Sequence, residues 1–371
     1  MDNQRTVPFF PYSKFFSSQE KELTEVLKDV LNRGAFILQK DVTEFEKNIA
    51  EYIGAKHVIG VANATDALIL ALKASPLQPG DEVIFSSHTF VATAAAIHFA
   101  GCIPVPVECG PDHMIDPKAV EAALTPKTRA IMPTQLNGRT CDMDALQKIA
   151  DRHQLLILED SAQGLGSKYK GRFAGTFGLA GVLSFYPAKI LGCFGDGGAV
   201  ITNDEGVAEK IKLLRDHGRN HEGQVVIWGL NSRLDNIQAA VLNFFFRDFA
   251  KIVDRRREMA RIYHKNLSNI EELKIPPAPD SSADHFDTYQ NYEIEAEKRD
   301  ELKNFLKEKG VGTLIQWGGS AVHQFKDLGF KTTLPYTENL FKRLLMLPMN
   351  TLLSNDDIFY ICRTIQNFYK N

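Results

Sequence analysis

A chain of 371 residues is too long for one small core, and its 44% hydrophobic and 24% charged residues describe an ordinary soluble protein. A formal net charge of −3 offers no basic surface for nucleic acid, and no apolar run reaches the length of a membrane span. The opening MDNQRTVPFFPYS has the form of neither a signal peptide nor a transit peptide. The five cysteines are an odd count without a CxxC pair, which suits a reducing, cytoplasmic setting. Cys141 beside Asp142 and Asp144 is too thin a ligand set to be read as a metal centre, so no metal is expected.

In chain order, residues 20–31 and 45–53 carry apolar positions at helical spacing. HVIGVA (57–62) reads as a strand that ends just before Asn63-Ala64-Thr65-Asp66, and ALILALKA (67–74) reads as the helix behind it. Strand and helix then alternate: DEVIFSS, VATAAAIHFAG, CIPVPVE, AVEAALT, RAIMPTQ, DALQKIADRH and LLILED, the last ending at residue 160. This alternation predicts βαβ units and a mostly parallel sheet, with ligands held just past the strand ends. Residues 236–267 read as strongly helical, leading from a large domain (1–250, with the N-terminal segment) into a smaller one (251–371).

The chemistry gathers around two residues 29 positions apart. Asp160 closes the apolar strand LLILED, and Lys189 sits in SFYPAKILGCFGDGGAV, a segment of small and apolar residues ending in a glycine-rich turn. A lysine amine in such a pocket can lose its proton and form an imine with an aldehyde. An aspartate beside a heteroaromatic nitrogen keeps that nitrogen protonated, so that the ring accepts electrons. Together these are the minimum protein contribution to pyridoxal phosphate chemistry. Residues 63–66, between a strand and a helix start, offer backbone N–H groups and the Thr65 hydroxyl to a phosphate; simple N-capping by Thr65 or Asp66 is the alternative. Ser184 offers a second hydroxyl. Phe90 and Ala162 are candidates for the two faces of a cofactor ring, and Gln163 for its hydroxyl. There is no GxGxxG after the first strand, which disfavours a nicotinamide enzyme.

NATDALILAL, SSHTFVATA, EDSAQGLGSKYKG, SFYPAKILGCFGDGGAV and GLNSRLDNIQAAVL resemble, in order, the signature blocks of the DegT/DnrJ/EryC1/StrS family. These are pyridoxal phosphate-dependent nucleotide-sugar aminotransferases with the aspartate aminotransferase fold (PLP fold type I). The resemblance implies a seven-stranded, mostly parallel sheet in a large domain and a smaller C-terminal α/β domain. It implies Lys189 as the Schiff-base lysine and general acid/base, and Asp160 as partner of the pyridine nitrogen. Gln163 would bond the ring hydroxyl, Phe90 and Ala162 would flank the ring, and Ala64, Thr65 and Ser184 would hold the phosphate. Ala64 stands where the family commonly has glycine. Asn231 would reach the cofactor of a second subunit, so a homodimer with composite sites is implied, with L-glutamate as amino donor.

Lysine at position 189, where dehydratase relatives carry histidine, disfavours dehydration. Where the family has a proline-rich stretch leading to a histidine and a glutamine or glutamate, His323 and Gln324 keep the ending, while Trp317-Gly318-Gly319 departs in the manner of enzymes aminating C3 of a dTDP-linked 3-keto-6-deoxyhexose; C4 amination of a UDP-, GDP- or dTDP-4-keto sugar is the alternative. Tyr12, Arg219, Tyr289, Trp317, His323 and Gln324 are the sugar-side candidates, with Tyr292 a further one. The product would be a deoxyamino sugar of the sort used in lipopolysaccharide O-antigen.

Overall fold

The computed structural model describes residues 5–370. Seven strands form the main sheet: β1 (His57–Val61), β2 (Glu82–Ser86), β3 (Ile103–Val107), β4 (Thr128–Met132), β5 (Leu156–Asp160), β6 (Ala180–Ser184) and β7 (Gly198–Thr202). Their order is β1-β7-β6-β5-β4-β2-β3. β7 runs antiparallel to both of its neighbours, and every other adjacent pair is parallel. The strands are short and buried along most of their length, as a sheet covered on both faces requires.

Helices Ala64–Ala74, Val91–Phe99 and Glu205–Arg215 contribute to the core on one face of the sheet, through residues such as Leu68, Leu72, Ile97 and Ile211. Several helix ends are legible in the sequence. Asp116, Asp142 and Asp204 accept first-turn N–H groups of helices Pro117–Ala122, Met143–His153 and Glu205–Arg215, and Gly34 and Gly54 close helices Glu20–Arg33 and Lys40–Ile53 in the left-handed conformation.

A second core lies under a small antiparallel sheet of β8 (Leu273–Lys274), β9 (Tyr292–Ala296) and β10 (Leu344–Leu347). The expected division at residue 250 departs from the packing at both ends. Val7 belongs to this second core and exchanges backbone hydrogen bonds with Gly310 and Gly312, so the N-terminal segment packs with the C-terminal unit. The helix Phe249–Leu267 serves both cores, with Phe249 and Val253 in the large domain's and Met259, Tyr263 and Leu267 in the smaller one's. The helical stretch 236–267 is two helices, Asn236–Phe246 and Phe249–Leu267. Among the described residues no helix is long and apolar enough to cross a membrane.

Candidate active site

Strand register brings the functional segments to one edge. Gly198, at the start of β7, pairs with Val61 on one side and Ser184 on the other, while Asp160 pairs with Val182. The loop after β1, the end of β5 and the loop after β6 therefore meet around one cavity of about 450 Å3. Its wall includes Ala64, Thr65, Phe90, Asp160, Ala162, Gln163, Ser184 and Lys189. These eight are the cofactor-side candidates from the sequence, except Asn231.

The helix expected from residue 67 begins at Ala64, and its cap is Asn63, whose side chain accepts the Asp66 N–H at 2.8 Å. Neither Thr65 nor Asp66 is the cap. Ala64 and Thr65 thus lie in the first turn, where backbone donors have no partner within the helix. The glycines that follow the lysine serve close approach of backbones and not a left-handed turn. Gly195, Gly197 and Gly198 all avoid positive φ. A Cβ at Gly198 would lie 2.4 Å from the Asn63 carbonyl carbon and 2.7 Å from the Ala64 nitrogen, so glycine is needed there for closeness.

The acidic pair at the end of β5 splits its roles. Glu159 points away from the cavity and is fully engaged: Gln135 Nε2 and the N–H groups of Gly175, Phe177 and Gly178 donate to it at 2.6–3.0 Å. Asp160 faces the cavity. Its Oδ2 accepts from Thr93 Oγ1 at 2.6 Å and its Oδ1 from the Ala162 N–H at 3.2 Å. Burial raises its pKa, and these two donors with the charge of Lys189 work in the opposite direction. Burial lowers the pKa of Lys189 to about 8, the nearby Asp160 charge opposing. At neutral pH roughly a tenth of such an amine is unprotonated, far more than of an ordinary lysine.

Sequence reasoning missed the groups that set these side chains. Gln290 grips the peptide on both sides of Lys189, accepting the Ile190 N–H at 2.5 Å and donating to the Ala188 carbonyl at 3.0 Å. The Gln163 Oε1 accepts from the Asn137 N–H at 2.8 Å and from Asn291 Nδ2 at 3.3 Å, leaving its NH2 end for a cavity ligand. No local pattern marks Gln290 or Asn291, because both reach the site from the C-terminal unit.

A second cavity, of about 540 Å3, adjoins the first and shares Gln163, Tyr186, Lys189 and Trp317 with it. Tyr12 lines it beside Phe9 and Phe10, as do Leu314, Met346 and Met349. Burial and the neighbouring Tyr186 hydroxyl raise the Tyr12 pKa. Trp317 reaches both cavities from a turn in which Trp317, Gly318 and Gly319 all have left-handed φ. This explains the two glycines after it.

The remaining sugar-side candidates lie elsewhere. Tyr289 is buried, its hydroxyl donates to the Pro277 carbonyl, and it lines a separate cavity of about 340 Å3. Tyr292 stacks on Tyr263 in the C-terminal core. His323 is buried between Ser87 and Glu338, and Gln324 caps its own turn by accepting the Ala321 N–H. Arg219 is exposed and paired with Asp216. Asn231, bridged to Asp216 and exposed, is outside the cavity of its own chain.

A buried, activated lysine facing a buried aspartate, at the strand-end edge of this sheet and beside a helix start, is the arrangement of a pyridoxal phosphate-dependent enzyme. The model of the DegT/DnrJ/EryC1/StrS aminotransferase family matches residues 17–366, and the chain belongs to that family. It is 40% identical over 370 residues (98% of this chain, 99% of the relative) to a pleiotropic regulatory protein of Geobacillus stearothermophilus. It is 36% identical over 368 residues (98% and 96%) to the dTDP-3-amino-3,4,6-trideoxy-alpha-D-glucose transaminase of Streptomyces venezuelae. The crystal structure of S. venezuelae DesV in complex with a ketimine intermediate superposes with a TM-score of 0.94 at 35% identity, covering 99% of each chain.

Proposed function

We propose that this aminotransferase moves an amino group from L-glutamate to C3 of a dTDP-linked 3-keto-6-deoxyhexose, giving a dTDP-3-amino-3,6-dideoxyhexose. The observation that carries the sugar class is the second cavity. Among the described residues lining it, Lys189 is the one cation, and Phe9, Phe10, Leu314, Met346 and Met349 supply apolar wall. Such a wall suits a neutral sugar with a C6 methyl group, and with Lys189 committed to the chemistry no further cation among these lining residues would pair with a sugar carboxylate. The position of the amino group rests on likeness to the S. venezuelae transaminase, whose product name carries a 3-amino group.

Bound pyridoxal phosphate supplies an aldehyde for imine formation and a protonated ring as electron sink. The fit is supported by a cavity that combines the Lys189 amine, the Asp160 carboxylate and first-turn N–H donors. Asp160 would hold the proton on the ring nitrogen, and the Gln163 NH2 would bond the ring oxygen. Phe90 and Ala162 would flank the ring, and Ala64, Thr65 and Ser184 would seat the phosphate. Lys189 Nζ would be the base that takes the proton from the amino-bearing carbon and delivers it two bonds away, on the far side of the nitrogen, and the same amine would reverse that shift on the keto-sugar. Asn231 from a second copy would complete the phosphate seat, making the active species a homodimer.

The test is a panel of dTDP-3-keto, dTDP-4-keto and UDP-4-keto sugars with glutamate, scored by product mass and by the position of the new amine. Turnover confined to the 4-keto sugars would replace the C3 reading with C4 amination. Borohydride reduction should fix the cofactor's mass on the peptide containing Lys189, and Lys189→Ala should lose activity by about a thousandfold or more. Full activity in that variant would sink the mechanism.

A further inference from the structure

Next to Asn137, whose side chain bonds Glu293 while its backbone N–H bonds Gln163, two histidines and a glutamate converge where the cofactor chemistry has no use for them. His88 follows β2, His113 sits in the turn after β3, and Glu293 is on β9 of the C-terminal unit. One ring nitrogen of each histidine and one Glu293 carboxylate oxygen all lie within 4.8 Å of one another. His88 Nε2 is 3.4 Å and His113 Nδ1 3.9 Å from Glu293 Oε1.

The outer nitrogens of both rings are already occupied. His88 Nδ1 lies 3.2 Å from the His113 backbone carbonyl, which fixes the proton on Nδ1. His88 Nε2 is then the inward atom, fully buried, with Glu293 Oε1 at 3.4 Å but no well-aligned hydrogen bond. His113 Nε2 is 3.0 Å from Glu295 Oε1, a carboxylate that also takes Lys274 at 2.8 Å and Arg343 at 2.7 Å. A carbonyl behind one imidazole and a carboxylate behind the other are the outer contacts that orient histidines bound to a metal. His113 holds its aim at φ +68, a left-handed conformation that a non-glycine residue keeps only when its surroundings impose it.

We propose that His88, His113 and Glu293 form a binding site for a divalent transition ion of the zinc class, joining β9 of the C-terminal unit to the large domain beside the active cavity. Two imidazoles and one carboxylate match borderline ions and disfavour magnesium or calcium, which take oxygen ligands. Ligand bonds of about 2.0–2.1 Å in a tetrahedron place donor atoms about 3.3 Å apart, so His88 already stands near that distance from Glu293, while His113, 3.9 Å from Glu293 and within 4.8 Å of the His88 nitrogen, must move inward to close the triangle. The separate cavity of about 340 Å3, lined by His113, Asn137, Arg139, Lys274 and Glu293, gives the ion an entry and a water its fourth position. Trp317 and Phe341 stand edge-on to His88 at 5.3 and 5.0 Å and close the other side.

Occupancy would reach the active cavity through two short links. Glu293 accepts from Asn137 Nδ2 at 3.3 Å, and the Asn137 N–H holds Gln163. The Gln316 amide, turned with its NH2 toward Glu293, donates at 2.6 and 2.8 Å and is followed directly by Trp317. The ion would therefore stiffen the wall shared by the cofactor and sugar cavities.

The experiment uses tag-free holoenzyme, stripped with a chelator, desalted and dialysed against zinc chloride, with bound metal measured by elemental mass spectrometry. About one zinc per chain is expected. Glu293→Gln and His113→Gln should each weaken retention at least tenfold while keeping cofactor absorbance and a cooperative melt. His113→Gln is the second variant because His113 is the least enclosed of the three ligands. No stoichiometric zinc on the wild type would overturn the site and leave the cluster as a buried His88–Glu293 ion pair. Equal zinc on wild type and both variants would overturn it as well, placing the ion elsewhere.

Discussion

Asp160 is held at the end of a directed line of hydroxyls. Thr134 donates to Thr89 at 2.8 Å, and Thr89 and Thr93 are 2.7 Å apart. Thr93 gives its single proton to Asp160 Oδ2, so Thr89 must be the donor to Thr93. Each hydroxyl points its proton toward the carboxylate, which favours the charged form against the burial that raises its pKa. The sign of a Thr93 deletion follows. Thr93→Val removes a donor to the charged form, so the Asp160 pKa rises further and the carboxylate is lost at higher pH on acidification. The acid limb of kcat should move upward in pH, with kcat lower by about tenfold, and Thr93→Ser should restore both. A Thr93→Val profile that overlays the wild type would show that the hydroxyl line does not set Asp160. Asp160 itself was legible as a carboxylate at a strand end, whereas Thr93 inside VATAAAIHF looked like any helix residue. Its role appears only when the helix after β2 is laid beside β5.

At the scale of elements, the register around β7 decides whether the phosphate seat forms. The alternation of strand and helix was readable because each buried strand is a short apolar run and each helix has its own cap or stop. That β7 inserts antiparallel between β1 and β6 was not readable, since strand direction depends on contacts distant in sequence. The consequence falls on Gly198, pressed against the Asn63–Ala64 backbone by that insertion. Gly198→Ala should cost about 1–3 kcal/mol of stability, because the atoms met are backbone and cannot swing aside. It should also weaken cofactor retention by pushing the helix start off the seat. Gly206→Ala is the control: its added methyl meets one side-chain atom, the capping Asp204 Oδ1 at 3.3 Å, and no backbone, in a helix that alanine favours. Thermal melts and cofactor titration of the two variants check this, and an unchanged Gly198→Ala would refute the tight-approach reading.

On the whole molecule, the single chain leaves apolar surface where a second copy is proposed to sit. Trp228 is 97% exposed and Val225 69%, in the segment that leads into Asn231. Large side chains gathered on so short a stretch mark an interaction surface more than chance exposure. A symmetric dimer would place that stretch, with Asn231, over the other chain's cavity, and each active site would then draw Lys189 from one chain and Asn231 from the other. This makes a quantitative prediction that a simple loss-of-function variant cannot. Lys189→Ala homodimers have no complete site, and Asn231→Ala homodimers have only impaired ones. When the two are unfolded, mixed equally and refolded, half of the dimers are mixed, and each mixed dimer rebuilds one intact site out of two. Activity should return to about a quarter of the wild-type value, against a wild-type sample carried through the same refolding. Trp228→Ser should shift sedimentation toward monomer and abolish the rescue. If mixing gives only the sum of the two variants' own activities, each chain carries its whole site, and Asn231 belongs to the surface of a single subunit.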